Sequence, residues 1–204
     1  LFQTEIENFQ AQTFDALTTS FALANAGELR SRGVELETQY RPNQAFQFSA
    51  NVAYADTRIE DFAPACYPGQ TAALGCVGGR QEVTGSALTN APMWSYTLGA
   101  SYNRPLESIP FDLTADVSYS YRSSVFFTFR DPNTVQPGYG LLNLNVGLQS
   151  NDGRYGVTLF ARNLLDEQFY SGIGTGFLDT NASGAGYTQS LTQDAFRRVG
   201  IEAK

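Results

Sequence analysis

The chain is written in a two-residue rhythm. From Phe46 the apolar positions are Phe46, Phe48, Ala50, Val52 and Tyr54, with Gln47, Ser49, Asn51 and Ala53 between them. The beat recurs in Trp94, Tyr96, Leu98, Ala100 and Tyr102, and in Phe111, Leu113, Ala115, Val117, Tyr119 and Tyr121. It returns in Leu142, Leu144, Val146 and Leu148, in Tyr155, Val157, Leu159 and Ala161, in Val34, Leu36 and Tyr40, and in Val199, Ile201 and Ala203. Successive side chains of a β-strand point to opposite faces, so each run predicts a strand with one apolar and one polar face. Composition agrees, since 15 Phe and 11 Tyr suit a pleated surface. About eight strands are expected. The first is read as one bulged strand from Phe2 to Thr13, because its alternation changes phase between Ile6 and Phe9.

The connections between these runs differ in a systematic way. Arg41–Asn43, Arg104–Ser108 and Gln149–Gly153 are short and rich in turn residues, whereas roughly 56–90, 123–137 and 171–193 are long. Short and long on alternate ends of an antiparallel meander is the pattern of an outer-membrane barrel, with short periplasmic turns and long external loops. A soluble β-sandwich also alternates but has less reason to put every long loop at one end. Aromatics near both ends of the apolar faces, such as Phe46 and Tyr54 or Trp94 and Tyr102, lie ~27–33 Å apart along a strand. After strand tilt, that spacing fits two girdles flanking a lipid-facing band of ~25 Å. No uninterrupted apolar run approaches the ~18–20 residues of a membrane helix.

Charge and residue usage narrow the chemistry. Charged residues are 16% of the chain and the net charge is −7, which argues against nucleic acid as a partner because a basic footprint is lacking. There is no histidine, so Ser-His triads, most zinc sites and HExxH proteases drop out, and neither a cofactor nor a metal site is expected. Cys66 and Cys76 share the longest connection. An even count confined to one loop predicts a local disulfide made in an oxidising compartment, worth roughly 2–3 kcal/mol of loop ordering. The rival, a thiolate metal site, is poor with two such cysteines and no histidine.

Other signals are weaker. Gly172-Ile173-Gly174-Thr175-Gly176 is followed by no Lys-Ser/Thr and reads as a flexible loop rather than a phosphate cradle. Asn181-Ala182-Ser183 fits a glycosylation sequon, a match common by chance. Glu35, Glu37, Asp112 and Asp116 fall on polar faces and read as a solvated inner wall rather than an acid/base pair. Ser123–Pro137 is expected on the external side. It carries Phe126, Phe127 and Phe129 beside Arg122 and Arg130, a set that could stack on and pair with an anionic ligand. Alternatively, Phe127 and Phe129 only anchor the strand end in the outer leaflet.

Several segments resemble landmarks of the TonB-dependent outer-membrane receptors. Asn25-Ala26-Gly27-Glu28-Leu29-Arg30-Ser31-Arg32-Gly33-Val34-Glu35 is similar to that family's NAGxxxxxGVE strand signature. Pro137-Gly138-Tyr139 resembles its Pro-Gly-Tyr strand entry. Leu159-Phe160-Ala161-Arg162-Asn163-Leu164-Leu165-Asp166-Glu167-Gln168-Phe169-Tyr170 resembles its lfarNLlDexY strand, with Phe169 where tyrosine is usual. Arg197-Arg198-Val199-Gly200-Ile201 resembles its final strand.

The resemblance implies an all-β antiparallel meander forming the C-terminal part, residues 1–204, of a plugged 22-stranded transmembrane barrel. It also implies a Gram-negative outer-membrane location, and as partners the lipid, the remaining barrel strands, an N-terminal plug and, through that plug, TonB. The implied function is active import of a scarce nutrient, a ferric siderophore foremost and an oligosaccharide or vitamin otherwise, not enzymatic catalysis. The opening at Leu1 without Met reads as an internal or mature piece lacking the plug and TonB-contacting segment, and the end at Lys204 lacks the family's terminal aromatic. The alternatives are a self-contained structural or adhesive eight-stranded barrel and a soluble β-sandwich binding module. An eight-stranded barrel must fill its interior with side chains. The Ser, Thr, Asn, Gly and Ala of the polar faces suit a wide lumen better.

Overall fold

A computed structural model describes residues 1–15, 20–25, 27–181 and 184–204, with side chains described outside 11–26 and 176–185. Ala26 of the first family signature, and Ala182 and Ser183 of the sequon, lie outside the described residues. The strands in chain order are β1 (Phe2–Glu7), β2 (Gln10–Asp15), β3 (Ser20–Asn25), β4 (Glu28–Tyr40), β5 (Phe46–Asp61), β6 (Cys76–Val77), β7 (Arg80–Gln81) and β8 (Trp94–Pro105). There follow β9 (Phe111–Arg122), β10 (Val125–Phe126), β11 (Val135–Gln136), β12 (Tyr139–Ser150), β13 (Gly156–Arg162), β14 (Gly172–Asn181), β15 (Gly184–Ser190) and β16 (Arg198–Ala203). Eight of them form one antiparallel sheet in the order β1-β4-β5-β8-β9-β12-β13-β16, and that sheet is open. The other eight make four two-stranded pairs, one each between β1 and β4, β5 and β8, β9 and β12, and β13 and β16, so all four connections lie at the same end of the sheet.

Register explains why the alternation works. Phe46 faces Tyr102, Phe48 faces Ala100, Ala50 faces Leu98, Val52 faces Tyr96 and Tyr54 faces Trp94. Leu98 in turn faces Tyr119, and Val117 faces Leu144, which faces Ala161. Apolar positions therefore align into one continuous belt. Its side chains stay exposed, among them Leu36, Leu98, Val157, Leu159 and Ile201. A contiguous apolar belt left this uncovered is more than a water-facing sheet ordinarily exposes. Aromatic pairs close both ends. Phe46 and Tyr102 have ring centroids 4.7 Å apart at one end. At the other, Tyr54 and Trp94 lie 4.8 Å apart and Tyr96 and Tyr121 5.0 Å apart. Tyr119 leans across Gly140, where any Cβ would collide with its ring.

Beyond the Tyr54–Trp94 pair the same face of β4 and β5 turns charged. Arg58 and Arg32 reach Asp56 at 2.6 and 3.4 Å, and Arg30 reaches Glu60 at 2.8 Å. The hairpin thus projects past the belt by the stretch that carries these ion pairs. On its opposite face, at the loop end, Leu29 pairs with Ile59 and both are buried with Phe62 and Val83.

Two sequence expectations need correction. The single bulged strand over Phe2–Thr13 is two strands: β1 pairs with β4, and β2 turns away to pair with β3. Asn8 lies between them at φ 55°, a left-handed turn that asparagine tolerates and that ends the strand. Gly172–Thr175, read as a flexible loop, is the paired start of β14, with Tyr187–Ser190 opposite.

Candidate functional site

Two surfaces can meet a ligand: the polar face of the sheet and the cluster of long connections at its end. A groove on the polar face is lined by Glu35, Glu37, Asn51, Ser95, Thr97 and Ser120. Asp112 and Asp116 share that face on β9, where Asp116 is opposite both Ser101 and Asn145. Arg162 donates to Asn145 Oδ1 at 2.7 Å and lies over the Phe160 ring. These carboxylates lie two on β4 and two on β9, with β5 and β8 between, and among the described residues no three His, Cys, Asp or Glu side chains are grouped to hold a metal. The surface is a hydrogen-bonding wall.

The connection 62–93 is built around the cysteines. Cys66 and Cys76 form a disulfide with Cα atoms 5.7 Å apart. The Gln70 side chain spans the same ring, accepting from Tyr67 N at 3.1 Å and donating to the Leu74 carbonyl at 3.0 Å. Gln81 is buried and donates to the carbonyls of Ala65 at 3.1 Å and Phe129 at 3.3 Å. The second of these bonds crosses to the connection 123–138.

That second connection and the last residue of β9, Arg122, hold the five ligand-contact candidates, and their settings differ. Arg122 donates to Asn90 Oδ1 at 3.0 Å, bracing the first connection. Phe126 keeps an exposed ring, while its carbonyl accepts from Asn90 N at 2.8 Å. Phe127 is half-buried, and its N–H donates to the Thr134 carbonyl at 3.0 Å. Phe129 packs on the Leu29–Ile59–Phe62–Val83 cluster, edge-to-face with Phe62 at 5.8 Å. Arg130 is exposed at φ 55° and donates from Nε to Ser86 Oγ at 3.2 Å. The candidates do not converge on one pocket. Phe126 and Arg130 face solvent, whereas Phe129 holds the loop down.

Sequence reasoning passed over the buried polar residues of this region. Asp131 is fully buried and accepts from Asn133 N at 3.0 Å and from Tyr187 Oη at 2.8 Å. Burial, together with that bond, pushes the Tyr187 phenol above its ordinary value. Gln136, also buried, accepts from Tyr170 N at 2.8 Å. Asp131-Pro132-Asn133 was a visible turn signal, since aspartate accepts from the backbone two residues on. Nothing local marks Tyr187 as its partner.

The Asn163-Leu164-Leu165-Asp166 segment makes a second polar knot. Asn163 is buried at φ 49°; its Nδ2 donates to the Glu167 and Asp194 carbonyls at 2.9 and 3.0 Å, and its Oδ1 accepts from Glu167 N at 2.9 Å. Asp166 accepts from Arg197 N at 3.2 Å, which ties the start of β16 to the end of β13. Phe169 is buried and stacks on Tyr139 at 4.1 Å.

Known proteins resemble both the sequence and the fold. The family model described as TonB dependent receptor-like, beta-barrel matches residues 1–164. The chain is 26% identical over 175 residues to the ferric-pyoverdine M114 receptor PbuA of Pseudomonas sp. (strain M114), which is 86% of this chain and 19% of that protein. The ferric yersiniabactin uptake receptor FyuA from Yersinia pestis superposes with a TM-score of 0.70 at 16% identity, over 98% of this chain and 26% of that one. BauA, the ferric preacinetobactin receptor from Acinetobacter baumannii, gives 0.59 at 16% identity, over 98% and 25%. At these identities the two structural matches bear on the fold alone. The chain spans about a fifth of the curated relative and about a quarter of each solved structure.

Proposed function

Since the chain belongs to the TonB-dependent receptor-like β-barrel family, whose members are outer-membrane receptors of Gram-negative bacteria and not enzymes, we propose that it is C-terminal wall and external loop structure of an importer of a ferric siderophore. The observation that carries this reading is the two-faced sheet. An apolar belt closed by aromatic pairs at both ends backs onto a face of small polar residues. Such a sheet separates lipid from a wet or plugged lumen, and its long connections all lie at one end. The siderophore assignment is supported by the names of the relatives. Energy would come from TonB through a plug supplied by the longer protein. In that setting Phe126 and Arg130 are the candidates for ligand contact, through stacking and charge, because their side chains reach solvent.

The test uses the full-length receptor in a strain lacking its own siderophore receptors. Iron-limited growth on a ferric siderophore, abolished by loss of TonB, is the expected result. Growth restored by an oligosaccharide or cobalamin alone would overturn the siderophore assignment. Alanine at Phe126 and Arg130 should weaken uptake with folded receptor levels unchanged, and unaltered uptake would remove them from the ligand site.

A further inference from the structure

β13 and β16 bring two arginines opposite each other. In register Arg162 faces Arg198 and Phe160 faces Gly200, so the four positions form a two-by-two block on the polar face of the sheet. Gly200 makes room for the block. A Cβ there would meet the Phe160 ring at 2.6 Å, so the missing side chain lets the ring lie across β16. Arg162 sits over that ring, its Cζ 5.5 Å from the centroid, and its Nη1 donates to Asn145 Oδ1 at 2.7 Å. Arg198 is steered from the other side, Nη2 donating to Asp194 Oδ1 at 2.9 Å and Nη1 to Gln193 Oε1 at 3.5 Å. Both guanidinium forks are held, and both keep N–H groups that donate to none of the described residues.

The charges of the block are unbalanced. Like charges directly opposite on neighbouring strands repel, and here two cations share one carboxylate. The exposed Asp194 pairs with Arg198. Arg162 has only the neutral amide of Asn145, and no carboxylate of the described residues lies at ion-pair distance from it. On the same face Asp116 stands beyond Asn145 on β9, and Glu202 stands further along β16 opposite Thr158, each roughly 10 Å or more away. A planar guanidinium takes an oxyanion through two parallel N–H···O bonds, and a second fork beside it adds to the grip. We propose that Arg162 and Arg198 bind one oxyanion between them, a phosphate or carboxylate group of a small molecule, on the polar face of the wall. The site stands on β13 and β16 rather than in the connection that carries Phe126 and Arg130. It is independent of the siderophore reading, and its test measures neither siderophore nor transport.

Phosphorus NMR of inorganic phosphate, added to the full-length receptor in detergent micelles at constant ionic strength, tests the pair. Saturable line broadening is expected, with affinity about tenfold weaker in Arg162→Gln and in Arg198→Gln, the scale of one charge-assisted hydrogen bond. Arg162→Lys keeps the charge and loses the fork, so it should bind more weakly than the unmodified receptor. Arg41→Gln, on an exposed side chain ahead of β5, is the control and should change nothing. Because Arg198 is exposed, Arg198→Gln supplies the readout if Arg162→Gln fails to assemble. Broadening that never saturates, or that is the same in the glutamine variants as in the unmodified receptor, overturns the proposal. So does full affinity in Arg162→Lys, which would reduce the site to diffuse charge, and so does the absence of any broadening, the result if a carboxylate from elsewhere in the longer protein fills the site.

Discussion

Replacing Leu98 by arginine puts a charge at the middle of the belt. Leu98 lies midway along β8 between Trp94 and Tyr102, on the face it shares with Ala50 and Tyr119. Each aromatic end is about 13 Å away along the strand. At a strand tilt of ~35–45° that becomes about 10 Å of depth, which sets Leu98 at the midplane of a ~25 Å band. An arginine there should cost about 2–4 kcal/mol, whereas at the Tyr102 level the charge itself should cost only ~0–1 kcal/mol. Thr97→Arg, one residue earlier, points to the polar face and should be nearly neutral. Urea unfolding of the full-length receptor from phospholipid vesicles measures all three, provided the slope with denaturant is unchanged. A Thr97→Arg cost equal to that of Leu98→Arg, or costs independent of depth, would refute the assignment of faces.

Two further outcomes follow from the polar knots. Asn163→Ala removes three side-chain bonds and leaves alanine at a left-handed φ of 49°; a loss of about 2–4 kcal/mol is expected in the same urea assay, and a loss below about 1 kcal/mol would make the knot incidental. The Tyr187 phenol is held above its ordinary value by burial and by the Asp131 acceptor, so its contribution is fully present below pH ~10 and fades as pH rises through the raised value. Proteolysis of the external connections should therefore quicken only above pH ~10, and the step should vanish in Tyr187→Phe.

The wall was legible because its rule is local. Alternation with period two names the face of each residue without knowledge of its neighbours, and alternating turn lengths supply the topology. Strand ends were less legible for a physical reason. Past Tyr54 and Val34 the outer face carries Asp56, Arg58, Arg32 and Arg30, so the apolar beat stops while the backbone pairing continues to Asp61. The break at Asn8 looked like a bulge because a phase change has the same signature whether the strand kinks or ends. Phe129 and Asp131 were harder still. An aromatic in a loop carries no mark of whether its pocket exists, and here that pocket is assembled from Leu29, Ile59, Phe62 and Val83 on three other segments. Asp131 finds Tyr187 across a gap that no periodicity encodes.

That gap bears on the order in which the molecule comes together. From β4 onward each wall strand pairs with the next wall strand along the chain, so the wall can zip hairpin by hairpin with small loop-closure entropy at each step. The contacts between external connections join residues 44, 48 and 56 positions apart. They cannot form until the hairpins that flank them are already side by side. The wall must therefore stand before the connections can lock, and a chain halted late in assembly would present a finished wall with its external loops still searching for one another.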